Sequence, residues 1–203
     1  MSRSIVPFVL LLMMSGCSPE PVSPEEPGPG GGGVEGAALR KHCVVAASST
    51  EEDGNGVPVP RPTEPALCFH QFSEAIAFAT GGRVQLAADA TPADVDEALL
   101  RGAVQASSGL APHVIAIEYS DENFGGSSLT VQSAASCETA SVTLDLADPW
   151  RNSVSSARVF GGCNHAYHYE SGGLKGARVD CGRGCSFVGE ALNDRTSSLK
   201  WTR

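Results

Sequence analysis

The hexapeptide Asn193-Asp194-Arg195-Thr196-Ser197-Ser198 gathers an amide oxygen, a carboxylate and three hydroxyls within six residues. Oxygens of these kinds are the ligands of a hard cation such as calcium, which takes about six to eight of them. The same residue types also bond their own backbone and build polar turns. An earlier stretch, Trp150 to Ser156, repeats the order: a bulky apolar residue, an Asn at 152, a two-residue gap and the pair Ser155-Ser156. A unit that occurs twice points beyond a chance turn.

The elements that must position these loops show the same duplication. "YSDENFGG" (Tyr119 to Gly126) and "YESGGLKG" (Tyr169 to Gly176) each read Tyr, four residues, a large apolar residue, one residue, Gly. A hairpin that folds back over its own sheet must cover its bend, so Tyr119 is expected to pack on Phe124, and Tyr169 on Leu174. Gly126 and Gly176 then take a positive φ or a close approach that a Cβ forbids. Around these pieces, short apolar or alternating runs from Val114 onward ("VIAIEY", "SLTVQ", "SVTLDL", "ARVF", "ARVDC") are separated by Gly, Asn and Ser. Short strands at close spacing with turn residues between them predict an all-β sandwich.

Hairpin and loop, in tandem over residues 113–203, resemble the βγ-crystallin domain, whose two Greek-key motifs each carry an aromatic hairpin and an (Asn/Asp)-(Asn/Asp)-x-x-(Ser/Thr)-Ser loop. "NDRTSS" matches at every position. The resemblance implies a mainly β, two-motif Greek-key sandwich. Its last loop serines, Ser156 and Ser198, should hydrogen-bond the folded hairpins. It also implies calcium ligands, drawn from both loops and the hairpins with two sites per domain: Asn193, Asp194 and Ser197, with Asn152 and Ser155 as counterparts. The first loop departs from the pattern, because Arg151 stands where Asn or Asp belongs. A guanidinium donates and never ligates, although its backbone carbonyl still can. One competent calcium site at best is therefore expected.

The N-terminus reads as an export signal: Arg3, an apolar run from Ile5 to Met14, then Ser15 and Gly16, too short to span a membrane. Met14-Ser15-Gly16-Cys17 resembles a bacterial lipobox, which implies a signal peptide over residues 1–16 and lipidation of Cys17 as the membrane attachment. Ser18 after it favours the outer membrane or cell surface. Residues 17–40 are Pro, Gly and Glu with little to bury, the composition of a disordered tether. Loss of residues 1–16 removes only Arg3 and moves the formal charge from -9 to -10. So acidic a chain argues against nucleic acid as a partner.

The six remaining cysteines, Cys43, Cys68, Cys137, Cys163, Cys181 and Cys185, are an even number in an exported chain and predict disulfides. Cys43 with Cys68 and the other four among themselves is the expected division. A bridge closing a loop of that length stabilises by roughly 3.5 kcal/mol in the chain-entropy model. Zinc is the competing use of the cysteines, but Cys181 and Cys185 lack a second pair at finger spacing.

Residues 41–110 predict a small α+β unit: a strand over 44–47, a Pro-rich loop over 51–65, and a helix capped by Ser73 that ends at Gly81-Gly82. A strand over "RVQLAA" follows. A second helix is then expected, with Thr91 as cap, Pro92 in its first turn, and Val95, Ala98 and Leu99 on one face. His165 and His168, three apart on a strand, point to opposite faces and do not share a metal with Cys163. No G-x-S-x-G elbow, H-E-x-x-H or phosphate loop occurs, so an enzyme is not expected. Besides calcium, two further readings stand: a βγ scaffold held by its own hydrogen bonds, and a disulfide-stiffened Greek-key inhibitor of an extracellular metallopeptidase. The inhibitor would present the loop around Cys137 or the "CGRGC" segment. A surface partner is the remaining candidate.

Overall fold

The computed structural model describes residues 41–49, 65–106 and 112–203, which share one compact unit. The expected signal peptide, Cys17 and tether lie outside the described residues, as does the Pro-rich stretch 51–64. Three short strands come first: β1 (His42–Ala46), β2 (Ser48–Ser49) and β3 (Leu67–Phe69). Two helices follow, α1 (Phe72–Ala79) and α2 (Glu97–Ala106). Eight strands complete the chain: β4 (His113–Asp121), β5 (Gly125–Ser133), β6 (Val142–Asp145), β7 (Ser156–Val159), β8 (His165–Ser171), β9 (Lys175–Asp180), β10 (Gly184–Cys185) and β11 (Ser198–Thr202).

They form two sheets, in the orders β10-β7-β4-β5-β1-β3 and β2-β6-β11-β8-β9. Strands β4 to β7 are one Greek key and β8 to β11 the second. The third strand of each key, β6 or β10, lies in the sheet of the other. That exchange ties the halves into one sandwich and generates an approximate twofold relation between them. The mainly β, two-motif sandwich expected from the sequence is the architecture found.

The strands described before position 110 are built into the same sheets. β1 pairs parallel with the edge of β5, β3 pairs antiparallel with β1, and β2 extends β6. Disulfide Cys43–Cys68 joins directly opposed residues of β1 and β3. Cys137–Cys163 ties the β5–β6 connection to the β7–β8 turn, and Cys181–Cys185 closes the β9–β10 turn. The first sheet is buried on both faces. Its inner face, with Cys43, Val45, Ile115 and Val131, packs on Leu199 and Trp201 of the second sheet. Its outer face, with Val44, Ile117 and Tyr119, is covered by Ile76, Val95, Leu100 and Ala103. Unbroken apolar runs such as Cys43-Val44-Val45 follow from being covered twice.

Three local expectations change. Helix α1 starts at Phe72, with Gln71 rather than Ser73 at its cap. The Glu74 carboxylate takes the Gln71 N–H at 3.3 Å, which leaves Ser73 inside the first turn. Residues 83–88 form no strand and join neither sheet. Val84 and Leu86 instead pack into the outer cluster, and the Val84 N–H goes to Thr80 Oγ1 at 3.1 Å. The expected second helix is two pieces. A 3₁₀ turn, Pro92–Asp94, is closed by Asp94 accepting from the Thr91 N–H and hydroxyl, bonds that hold the Asp94 carboxyl below its usual range. The chain then extends at Val95, and Asp96 caps α2 by accepting from the Leu99 N–H at 2.8 Å. With the later start the buried face is Leu100 and Ala103, while Ala98 and Leu99 are exposed.

The sandwich interior holds a buried acid–imidazole pair. Glu118 of β4 and His168 of β8, both fully buried, meet across the sheets with His168 Nε2 2.9 Å from Glu118 Oε2. Each stands immediately before the tyrosine of its hairpin, so the two are equivalents in the repeat. Replacing His168 by Leu strands Glu118 in the core and is expected to lower the unfolding free energy by about 3–5 kcal/mol; the double change Glu118→Leu with His168→Leu should recover most of that loss. Urea denaturation of both variants measures this, and equal losses would show that the pair adds nothing beyond packing volume.

Candidate functional site

Each hairpin folds over its sheet through left-handed residues: Asn123, Phe124 and Gly126 in the first copy, Gly173, Leu174 and Gly176 in the second. A serine from the matching loop holds each bend. Ser156 Oγ donates to the Asp121 carbonyl at 2.6 Å and accepts from the Phe124 N–H at 3.0 Å. Ser198 Oγ donates to the Ser171 carbonyl at 2.6 Å and accepts from the Leu174 N–H at 3.0 Å. Tyr119, buried and edge-on to Phe124 at 5.6 Å, is the lid foreseen for the first hairpin, and burial pushes its phenol far up.

The two loops then bond one another reciprocally. The Asn152 N–H donates to the Thr196 carbonyl at 2.8 Å, and the Asp194 N–H to the Val154 carbonyl at 3.3 Å. One position further along, the Ser155 N–H meets the Tyr119 carbonyl and the Ser197 N–H the Tyr169 carbonyl, each at 2.8 Å. Asn152 and Asp194 both have positive φ, 59° and 53°. Asn and Asp tolerate that conformation best after Gly, so the motif needs one of them at this position whether or not a cation binds.

The reciprocal bonding sorts the five expected ligands into two groups. Asn152 and Ser197 meet across the loops, Ser197 Oγ donating to Asn152 Oδ1 at 3.1 Å. Asn193 and Asp194 form the other group, beside Val154 and Ser155. Asn193 Nδ2 donates to Asp194 Oδ2 at 3.2 Å, and Ser155 Oγ donates to the Ser120 carbonyl at 2.9 Å. The groups differ in chemistry. The Asn152 end is neutral and its amide oxygen already has a donor. Arg151 beside it is exposed and sends its Nε to the Leu146 carbonyl at 3.1 Å.

At the other end, Asn193 Oδ1 is buried with no donor, and the exposed Asp194 carboxylate supplies charge. A buried oxygen without a donor costs about 1–3 kcal/mol unless a partner satisfies it, and a cation is such a partner. The oxygens available to hold calcium there are Asn193 Oδ1, the Asp194 carboxylate, Ser155 Oγ and the Ser120 carbonyl. Calcium would supply the shared positive charge that this cluster lacks. Ser120 was missed from sequence; its signal was its place one residue after the hairpin tyrosine. Among the described residues no group of three His, Cys, Asp or Glu side chains converges as a metal cluster. His165 lies on the outer face bound to Asp180, whereas His168 is interior.

The strand exchange, paired hairpins and serine locks make residues 113–203 a βγ-crystallin-like Greek-key domain. No protein-family model matches the sequence, and neither does any curated protein. Solved structures of βγ-crystallin domains do match. One from Clostridium beijerinckii is 20% identical, covering 43% of this chain and 97% of its own, with a TM-score of 0.34. One from Flavobacterium johnsoniae is 25% identical over 43% and 92%, with a TM-score of 0.33. A double mutant of clostrillin in complex with nickel is 20% identical over 44% and 98%, with a TM-score of 0.36.

Three substitutions check the geometry. Ser198→Ala strips the Leu174 N–H and the Ser171 carbonyl of their partner and is expected to cost about 1–3 kcal/mol in urea denaturation. Gly126→Ala should cost more than Gly176→Ala. Both pay about 1–2 kcal/mol for the left-handed backbone, but a Cβ at 126 lies 2.2 Å from Ser120 Oγ, against 3.1 Å from Ser171 Oγ at 176. Equal losses would mean that Ser120 moves aside freely.

Proposed function

We propose that this is a non-catalytic, calcium-binding domain carried outside the cytoplasm on a lipidated N-terminal cysteine, Cys17, at the outer membrane or cell surface. The observation that supports calcium most is the buried, donorless Asn193 Oδ1 beside the Asp194 carboxylate. One site is proposed, at the Asp194 end; the neutral Asn152 end with Arg151 adjacent is not a second. Calcium there would brace the crossing of the two loops and, through Ser155 and the Ser120 carbonyl, the first hairpin. Its role is stabilisation or a calcium-dependent surface contact, at the roughly 10⁻⁴ to 10⁻³ M affinities of extracellular modules.

The inhibitor reading needs a rigid loop that stands free of the body. The Cys181–Cys185 turn instead runs directly into edge strand β10, with Gly184 opposite Arg158 and Cys185 opposite Ala157 on β7. The loop around Cys137 is likewise tied down, by its disulfide to Cys163 and by the Cys137 N–H on the Gly161 carbonyl at 3.0 Å.

Calorimetric titration of calcium into metal-stripped protein, beside Asp194→Asn, tests the proposal. Asn keeps the left-handed backbone and the shape while removing the charge. Binding by the parent, absent or at least tenfold weaker in the variant, is expected. A free calcium concentration one hundred times Kd should stabilise by about 2.7 kcal/mol, raising Tm by several degrees. Absence of both heat and Tm shift in the parent would leave a scaffold held by its own hydrogen bonds.

A further inference from the structure

The two sheets differ in what lies on their outer faces. Helices cover the first; none of the described residues forms a layer over the second. By register, Tyr167 on β8 has Lys200 of β11 opposite it on one side and Asp180 of β9 on the other, and Tyr169 faces Arg178 of β9. The His165 and Tyr167 rings stack nearly parallel, 5.7 Å apart and 7° from coplanar. The Arg178 guanidinium lies 4.9 Å over the Tyr167 ring. These contacts make a comb of flat groups standing on the sheet.

The polar groups of the comb are mostly donors with nothing to donate to. Asp180, the acid within it, is used up: Oδ1 accepts from the Gly182 N–H and Oδ2 faces His165 Nδ1, each at 2.8 Å. Although burial opposes this, these contacts and Arg178 hold its carboxyl below the usual range. That leaves His165 Nε2, the Tyr167 hydroxyl, Arg178 and Lys200. Among the described residues neither Arg178 nor Lys200 makes an ion pair, and the Tyr167 hydroxyl makes no hydrogen bond. Residues 163–203 carry six Lys and Arg against four Asp and Glu, in a chain of net charge -9. The segment that supplies this face therefore has a small positive excess within an acidic chain.

We propose that the outer face of the β11-β8-β9 sheet binds an acidic polysaccharide. Arg178 presents a planar fork suited to a carboxylate, pre-oriented by its stacking on Tyr167. Lys200 stands two strands away, on the order of 10 Å, and takes a second acid group further along the polymer. The Tyr167 hydroxyl, on the strand between them, and His165 Nε2, stacked beside it further along β8, meet sugar hydroxyls. Other occupants fit less well. A protein interface centres on apolar anchors and a membrane surface on apolar side chains that insert, yet the exposed large apolar residues, Leu67, Phe78, Leu99 and Phe124, all lie elsewhere. Nucleic acid needs denser cationic charge than two free side chains supply.

The test is affinity electrophoresis or calorimetry of the full chain with polygalacturonate, and with a neutral glucan as control, in chelator so that calcium plays no part. Binding to the polyuronate and not to the glucan is expected, weakening with salt. Arg178→Ala and Lys200→Ala should each lower affinity about tenfold, the loss of one charge-assisted contact, and together abolish it. Arg83→Ala, on the covered side of the other sheet, should change nothing. Tyr167→Phe keeps the stack and should lose affinity by a few-fold through the hydroxyl alone. Unchanged melting curves confirm that the variants fold. Absence of polyuronate binding overturns the proposal, and so does binding that survives the Arg178 and Lys200 changes. Because no calcium is present, neither outcome bears on the Asp194 site.

Discussion

Two serine hydroxyls carry the architecture. Ser156 and Ser198 each satisfy one carbonyl and one N–H of a hairpin bend, at 2.6 and 3.0 Å in both copies. A bend made of left-handed residues leaves backbone groups that no ladder can reach, so it persists only where a neighbour supplies the missing partners. The supplier is the loop at the start of the last strand of the same key. Fixing the hairpin therefore fixes the loop, and the reciprocal bonds between the loops follow. The candidate cation site is a by-product of that mutual bracing: it lies where the loop-to-loop bonds set Asn193 and Asp194 beside Val154 and Ser155.

The approximate twofold relation brings equivalent residues together in the core, and the sequence makes them unequal. Glu118 and His168 occupy one position in the repeat and became an acid facing an imidazole. Asn152 and Asp194 share another and became a neutral end and an anionic end. Two identical acids at the first position would repel in a medium where charge is poorly screened. The asymmetry thus avoids a buried like-charge pair at the Glu118 position and is a chemical specialisation at the loops.

Residues 41–106 change what the sandwich presents to its surroundings. By laying α1 and α2 on one sheet they bury Ile117 and Tyr119, and by adding β1 and β3 they cover the β5 edge. Disulfide Cys43–Cys68 holds that addition in register. One sheet face is left open, and it is the face on which polar rings and unpaired cations stand.

Much of this was written in local patterns. The tandem hairpin and loop spacings, the glycines at 126 and 176, the serines at 156 and 198 and the Cys43–Cys68 bridge were all legible. Each reflects a backbone conformation or a covalent reach that few residue types satisfy. The phase of α2 was not legible, because Asp96 and Thr91 are both good caps and only packing of Val95 into the outer cluster decides between them. Nor was the fate of residues 83–88, since alternation shows that two residues want burial without saying whether a strand or an irregular cover buries them. At the site, the oxygen-bearing residues could be named from sequence. Their division into Asn152 with Ser197 and Asn193 with Asp194 could not, because it depends on hydrogen bonds between loops more than forty residues apart, which exist only once the two keys have exchanged strands.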